Sequence, residues 1–417
     1  MKFLRFISRI LVGMVFVFSG FVKGVDPIGS SYKFHDYFSA FGMDFMQGLA
    51  LPLAIVMCTA EFLIGAALVL GIRMKVASWG LLLFMVFFTI LTFILAVFNP
   101  VSDCGCFGDA VKLSNWGTFL KNIMLMVFTL IIFFSREKYE PSFSPIAEWI
   151  TVIAVIAGFS AIIDQSLRHL PMMDFRPYKV GTDIVKSMEF PPHAPRDSFD
   201  THLFYKKNGV VKEFTMANYP WQDSTWKWVE TKVVRVKAGY KPPVHDFSIK
   251  TIDDRDITDS VLHDPGFSFL LISPDIRKAN RSAFARANAI AHYCASGKAR
   301  FYALTASSQS EIDSLRRQFD LIYEFYHTDE TTLKTINRSN PGLVLIRDGV
   351  VLGQWHYNDF PTPEKMGGNL EAFAMGQEAS KAVHRLTGML ILGLFLGMAV
   401  FQIFRMYVKS GKSSATK

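Results

Sequence analysis

Six apolar runs, nearly free of charge, punctuate the sequence at about 6–22, 49–70, 76–98, 117–134, 146–163 and 387–408. Each is about 17–23 residues long, and at 1.5 Å of rise per residue that length crosses, or nearly crosses, a hydrocarbon core about 30 Å thick. Six transmembrane helices are therefore expected. The first run follows the basic stretch Met1–Arg9, as in a secretory signal, but no small-residue cleavage site comes after it. Instead "FSGFVKGVDP" continues directly into polar chain, so the run is kept as a helix.

Between the fifth and sixth runs, about 165–385, the pattern is that of a water-exposed region. "HLFYKKNGVVKEFTM" alternates on both sides of Asn208-Gly209, a hairpin signal. Trp221, Trp226 and Trp228 follow, placed either at a membrane interface or inside a small β unit. From Pro243 the elements become regular. "HDFSI" reads as a short strand, "DITDSVLH" as a capped helix and "GFSFLLIS" as a buried strand. Ile276–Ser296 has 3.6-residue periodicity, "ARFYALTAS" is a strand and "SEIDSLRRQF" a helix. "LIYEFYHTD" is extended, "TTLKTINR" is a helix, and "NPGLVLIRDGVVLGQWHY" is a hairpin turning at Asp348-Gly349. This alternation predicts an α/β unit with parallel strands and an antiparallel hairpin edge.

The Lys/Arg flanks set the orientation. Lys2, Arg5 and Arg9, then Arg73 and Lys75, then Arg136 and Lys138, then Arg405, Lys409 and Lys412 all fall on one side of a six-span protein. Both termini are expected in the cytoplasm. The loop after the first span, the loop 99–116 and the region 165–385 are expected in the periplasm of a bacterial inner-membrane protein. Charged residues make up 19% of the 417 residues, below the roughly 25% of soluble chains. The net charge of +8 is partly this topological signal, so nucleic-acid binding is not needed to explain it.

Two of the four cysteines, Cys104 and Cys106, sit in the polar loop "NPVSDCGCFGDAVKLSNW". In an oxidising compartment such a pair can form and exchange disulfides. A ring closed across one residue is strained, and strain makes a disulfide easier to reduce; Gly105 supplies the backbone freedom the ring needs. A purely structural disulfide is the alternative. A metal site is not expected, because no histidine lies in the loop and structural zinc takes four ligands. Lys121, near the start of the fourth span, would favour thiolate, while Asp103 and Asp109 would oppose it or simply keep the loop solvated. Within the bilayer Glu61 should face the bundle interior, with Lys23 as its candidate counter-ion. Cys58, three residues before Glu61 on the same face, is either a third redox thiol or a small hydrophobe.

The motifs "RILVGMVFVFSGFVKGVDP", "AEFLIGAALVLGIRMK" and "DCGCFGDAVKLSNWGTFLKNIMLM" resemble the DoxX/MauE family of small four-helix membrane proteins. That resemblance implies a role in quinone-dependent sulfur oxidation or in periplasmic cofactor or disulfide assembly, with quinone as a possible cofactor. From about 243 to 375 the chain resembles the thioredoxin-like fold of TlpA-like and peroxiredoxin-like domains. It shares "DFSI" at the entry, a strand leading into a helix, and Pro341 before the hairpin, a proline that is cis in that family. The family's C-x-x-C is missing: the corresponding turn reads "LLISPDIRKAN". Cys294, late in the following helix, reads as a buried, inert thiol.

The expected organisation is a DoxX/MauE-like four-helix bundle at 1–140 and a fifth span at 141–170. An irregular and hairpin region at 171–242 follows, then a thioredoxin-like unit at 243–380, and a last span with a basic tail at 381–417. Two functions remain open. One is thiol–disulfide or electron exchange at Cys104/Cys106, an oxidoreductase if the chain is an enzyme. The other is a non-catalytic scaffold whose thioredoxin-like unit binds a periplasmic protein partner. Both are seated in the lipid bilayer.

Overall fold

The computed structural model describes residues 2–101, 103–139, 143–237, 239–367 and 369–414. The expected junction at 140–141 and the last three residues of the basic tail lie outside them.

The N-terminal half is helical. Helix α1 (Lys2–Val25) is followed by α2 (Pro27–Ala40), a 3₁₀ turn, α3 (Ala50–Leu70), α4 (Met74–Phe98), α5 (Asn115–Phe134) and α6 (Pro145–Arg168). Among the described residues six helices are long and apolar enough to cross a membrane: α1, α3 with its preceding turn, α4, α5, α6, and the chain's last helix over Leu370–Met398. Helices α1 and α3 pack backbone to backbone. A Cβ on Gly20 would lie 2.5 Å from the Phe62 nitrogen, and one on Gly65 would lie 2.4 Å from the Val17 nitrogen. Lipid tails are as apolar as the helices, so close approach through small residues supplies what the hydrophobic effect does not. The Phe62 ring stacks on Phe159 of α6 at 4.2 Å and meets Phe395 edge-on at 5.4 Å, tying the later helices to this pair.

Helix α2 differs from expectation, because its sequence reads as polar loop. Asp26 caps it, accepting from the Gly29 amide at 2.9 Å, and Pro27 occupies the first turn, where no amide is needed.

The C-terminal half begins with the short helix α7 (Ile184–Met188) and an antiparallel sheet of β1 (Ser198–Lys207), β2 (Val210–Thr215) and β3 (Lys227–Lys237), in the order β2-β1-β3. The hairpin turns at Asn208-Gly209 as expected; β3 was not foreseen. Trp226 packs edge-on against Phe214 at 5.1 Å, whereas Trp221 and Trp228 are exposed.

Next come α8 (Thr258–Leu262), β4 (Phe267–Ser273), α9 (Arg281–Tyr293), β5 (Arg300–Thr305), α10 (Gln309–Phe319), β6 (Phe325–His327), α11 (Glu330–Ile336), β7 (Gly342–Arg347) and β8 (Val350–His356). The second sheet runs β6-β5-β4-β7-β8, parallel from β6 to β4 and antiparallel at β7 and β8. Alternate strand residues point to opposite faces. Phe269, Leu271, Ala303, Leu343 and Leu345 meet α9 and α10 on one side. Leu270, Ile272, Leu304, Val344 and Ile346 meet α8 and α11 on the other. "HDFSI" is not a strand; the nearest pairing is an isolated bridge from Lys250 to His327 and Asp256. Helix α9 starts five residues later than its periodicity suggests, because a 3₁₀ turn at Ile276–Lys278 comes first, capped by Asp275.

Helix α12 (Pro363–Met366) leads to α13 (Leu370–Ser414). Its 45 residues run without interruption from the sheet's core, where Phe373 stacks on Trp355, into the bundle at Phe395. The expected boundary at 380 thus falls inside one helix.

Candidate functional site

The loop between α4 and α5 holds the cysteine pair. Asn99 ends α4 in the left-handed conformation, and Ser114 caps α5 by accepting from the Gly117 amide. The Asn115 amide group donates to Asn99 Oδ1 and to the Val101 carbonyl, both at 2.8 Å, closing the neck of the loop.

Two helices then fix the tip. From α2, Lys33 pairs with Asp103 at 3.1 Å and the Tyr37 hydroxyl donates to the Cys104 carbonyl at 2.6 Å. Lys33 and Tyr37 are four residues apart and so share a helix face. From α1, the Ser19 hydroxyl donates to the Cys106 carbonyl at 2.6 Å. Asp103 also accepts from the Gly105 amide at 3.0 Å, and Gly105 has φ +64°, a conformation that costs a side-chain-bearing residue strain.

This arrangement leaves the two sulfurs 3.2 Å apart as free thiols. A disulfide needs about 2.05 Å, so closure asks for about 1 Å of movement. The pair is close, as expected, but it is not exposed. Cys104 is buried and Cys106 partly so, because α2 lies over the loop.

The two thiols are driven apart in acidity. The Cys104 thiol donates to Cys106 and holds it below the ordinary cysteine range, against the cost of burial and with help from Lys121 and Lys23. The same hydrogen bond, with burial, pushes Cys104 up. Lys121 acts from below the loop: its ammonium sits 4.4 Å from the centre of the Phe107 ring, which itself packs on Phe18.

Beneath the loop Lys23 and Glu61 form an ion pair between α1 and α3, both nearly buried. Ser19 and Lys23 are one turn apart, so the α1 face that touches Cys106 also carries this pair. Cys58 lies on the Glu61 face of α3, but its thiol is engaged by its own helix, donating to the Ile55 carbonyl at 3.3 Å. Cys294 is buried in the sheet's core, as expected.

Sequence reasoning missed Arg338. Its guanidinium donates to Asp26 Oδ2 at 2.8 Å, to Asp109 Oδ2 at 2.9 Å and to the Lys334 carbonyl at 2.6 Å, and it lies over the Tyr32 ring. Asp109 therefore does more than solvate the loop. No local signal in the sequence marks this contact, since Arg338 and Asp109 are 229 positions apart. A cavity of about 720 Å³ opens beside it, lined in part by Lys23, Lys33, Gly105, Lys112 and Arg176.

Arg338 precedes the Asn340–Pro341 peptide bond, which is cis. The Asn340 side chain bonds Ser273 and the Asp275 carbonyl, joining this segment to the cysteine-free turn after β4.

Compared with known families, residues 1–135 match the one described as methylamine utilisation protein MauE. Residues 199–238, which include most of the three-stranded sheet, match a domain of unknown function, DUF8463. No curated protein and no solved structure matches the chain.

Proposed function

We propose that this chain is a membrane-bound thiol–disulfide exchange protein whose reacting atoms are the sulfurs of Cys104 and Cys106. The observation that carries this reading is the 3.2 Å contact between two free thiols, held by hydrogen bonds from two helices. The Cys106 thiolate attacks a substrate disulfide, forming a mixed disulfide and releasing the first substrate thiol. Cys104 then gives up its proton and attacks the Cys106 sulfur, releasing the second. Two protein thiols are oxidised to one disulfide as one substrate disulfide is reduced to two thiols, and the reverse direction oxidises a dithiol substrate. Lys121 and Lys23 favour the thiolate, and Glu61 balances Lys23.

The match to MauE supports a membrane role for the bundle, and we carry over to this chain a part in methylamine utilisation. We assign the Pro243–Gln377 region a thioredoxin-like fold without its own redox centre. The mixed five-stranded sheet with helices on both faces supports the fold, and the turn after β4, which carries no cysteine, supports the missing centre. We place the cysteine loop and both sheets in the periplasm, from the Lys/Arg distribution.

The test uses the full chain in nanodiscs. Cys104→Ser leaves no resolving thiol, so the mixed disulfide formed when Cys106 attacks a substrate disulfide accumulates and is released by reductant. A second reading, a scaffold without catalysis, is favoured by the cysteine-free turn. It predicts that the Cys104→Ser/Cys106→Ser double variant keeps full function in cells. Full function in that variant, with no mixed disulfide in the single one, sinks the exchange reading.

A further inference from the structure

We propose that Arg338 is a positioning residue for the cysteine pair, supplied by the far end of the chain, which holds the loop in the form that keeps the two thiols in contact. The inference rests on the exchange reading above for its redox consequence, but its geometry stands alone.

The anchor on the Arg338 side is rigid. The Asn337 side chain donates to the carbonyls of Leu343 and Trp355 and accepts from the Ser339 amide at 2.9 Å. The Ser339 hydroxyl donates to the Pro341 carbonyl at 2.7 Å and accepts from the Tyr357 amide at 2.9 Å. Asn340 is fixed to the β4 turn at both ends of its amide group. Every residue flanking Arg338 is thus held by the sheet, and the guanidinium has little freedom to follow a moving partner. This is how a supporting shell fixes a functional geometry.

The other side of the contact is the site itself. Asp109 closes the loop that begins at Asp103, and Asp26 begins α2, the helix whose Lys33 and Tyr37 grip Asp103 and Cys104. One buried cation therefore clamps both the far end of the cysteine loop and the origin of the helix that covers it. An arginine suits this task because its planar fork serves three acceptors at once, which a lysine ammonium on a flexible stem does not. The carboxylates in turn keep the buried guanidinium from being an uncompensated charge.

Closing the disulfide draws the two sulfurs about 1 Å closer together, which pulls on the loop that holds them. Arg338 opposes that movement and so stabilises the dithiol, which makes the pair a stronger oxidant than an unclamped one. Removing the clamp shifts the equilibrium toward the disulfide and opens the loop to reagents.

The experiment compares native protein with Arg338→Gln, Arg338→Lys and Asp109→Asn, as full chains in nanodiscs. Arg73→Gln serves as control, because it breaks an ion pair to Glu148 within the bundle. Two readouts are taken: the dithiol–disulfide ratio in glutathione buffers, and the rate of thiol alkylation. For Arg338→Gln the ratio should move toward disulfide by about tenfold. Alkylation should speed up by about tenfold, because reactivity follows access and thiolate fraction. Arg338→Lys should recover part of both effects. Asp109→Asn, which removes the charge from one acceptor, gives an intermediate result and replaces Arg338→Gln if that variant does not fold. Values within about twofold of native for Arg338→Gln, or an equal shift in the Arg73→Gln control, overturn the proposal. If the native pair never cycles in glutathione yet Arg338→Gln alkylates faster, the exchange reading fails and the clamp stands.

Discussion

Lys23 meets Glu61 across the close-packed faces of α1 and α3, directly below the loop that carries the thiols. Opposite charges inside a bundle are tolerated as a pair and costly singly. Lys23→Met leaves Glu61 unpaired and should lower stability by about 3–5 kcal/mol. Glu61→Leu added to it should recover most of that loss. Thermal unfolding in detergent reads both; an equally large loss in the double variant contradicts the pairing.

The acidity split between the thiols depends on a hydrogen bond from Cys104 to Cys106. Cys104→Ala removes the donor, so the pH midpoint of Cys106 alkylation should rise toward the ordinary thiol value of about 8.5. Lys121→Met should raise it by a smaller step. A midpoint that stays in place in Cys104→Ala would show that the cations alone set the acidity.

Gly105→Ala forces a side chain into a left-handed conformation at φ +64°, at a cost of about 1–2 kcal/mol. The added Cβ would also come within 3.0 Å of the Lys33 side chain. The variant should melt earlier, and its cysteines should alkylate faster than native at equal pH. Unchanged melting and alkylation would mean that the loop relaxes freely.

His356 gives the C-terminal region an acid sensitivity. It is buried, its Nδ1 accepts from the Asn358 amide at 3.2 Å, and burial holds its pKa down at about 4, with Asp359 opposing and His169 assisting. The unfolded chain binds a proton at about 6.5, so between about pH 6.5 and 4 it holds more protons than the folded one. Stability is therefore complete above about 6.5 and falls as the pH drops through that window, by on the order of 3 kcal/mol. His356→Gln should flatten the pH dependence of the melting temperature there. A native profile flat from 7 to 4 would contradict this.

The apolar runs mark the long helices because a bilayer accepts few other patterns. The two hairpins were equally plain, since turn chemistry is written in adjacent residues. Helix α2 was not, because "PIGSSYKFHDYFSA" has no apolar stripe, and its helix is set by the Asp26 cap and by packing. Strand β3 was hidden by the stretch 216–226 that separates it from its hairpin. Within the site the sequence singles out Cys104, Cys106, Lys121, Glu61 and Lys23, all of which lie at or under the loop. It gives no sign of Ser19, Tyr37 or Arg338, whose roles come from tertiary neighbours. Nor does it show that the pair is buried, since α2, which covers the loop, is itself unmarked.

Helix α13 spans from the sheet's core to the bundle as one 45-residue rod, about 67 Å long. A helix without a break passes a change of tilt at one end toward the other more directly than two helices joined by a loop would. The sheet carries Arg338, and Arg338 grips the loop at Asp109. A lean of that helix is therefore expected to be felt at the far end of the cysteine loop, because no flexible linker lies between bundle and sheet to absorb it.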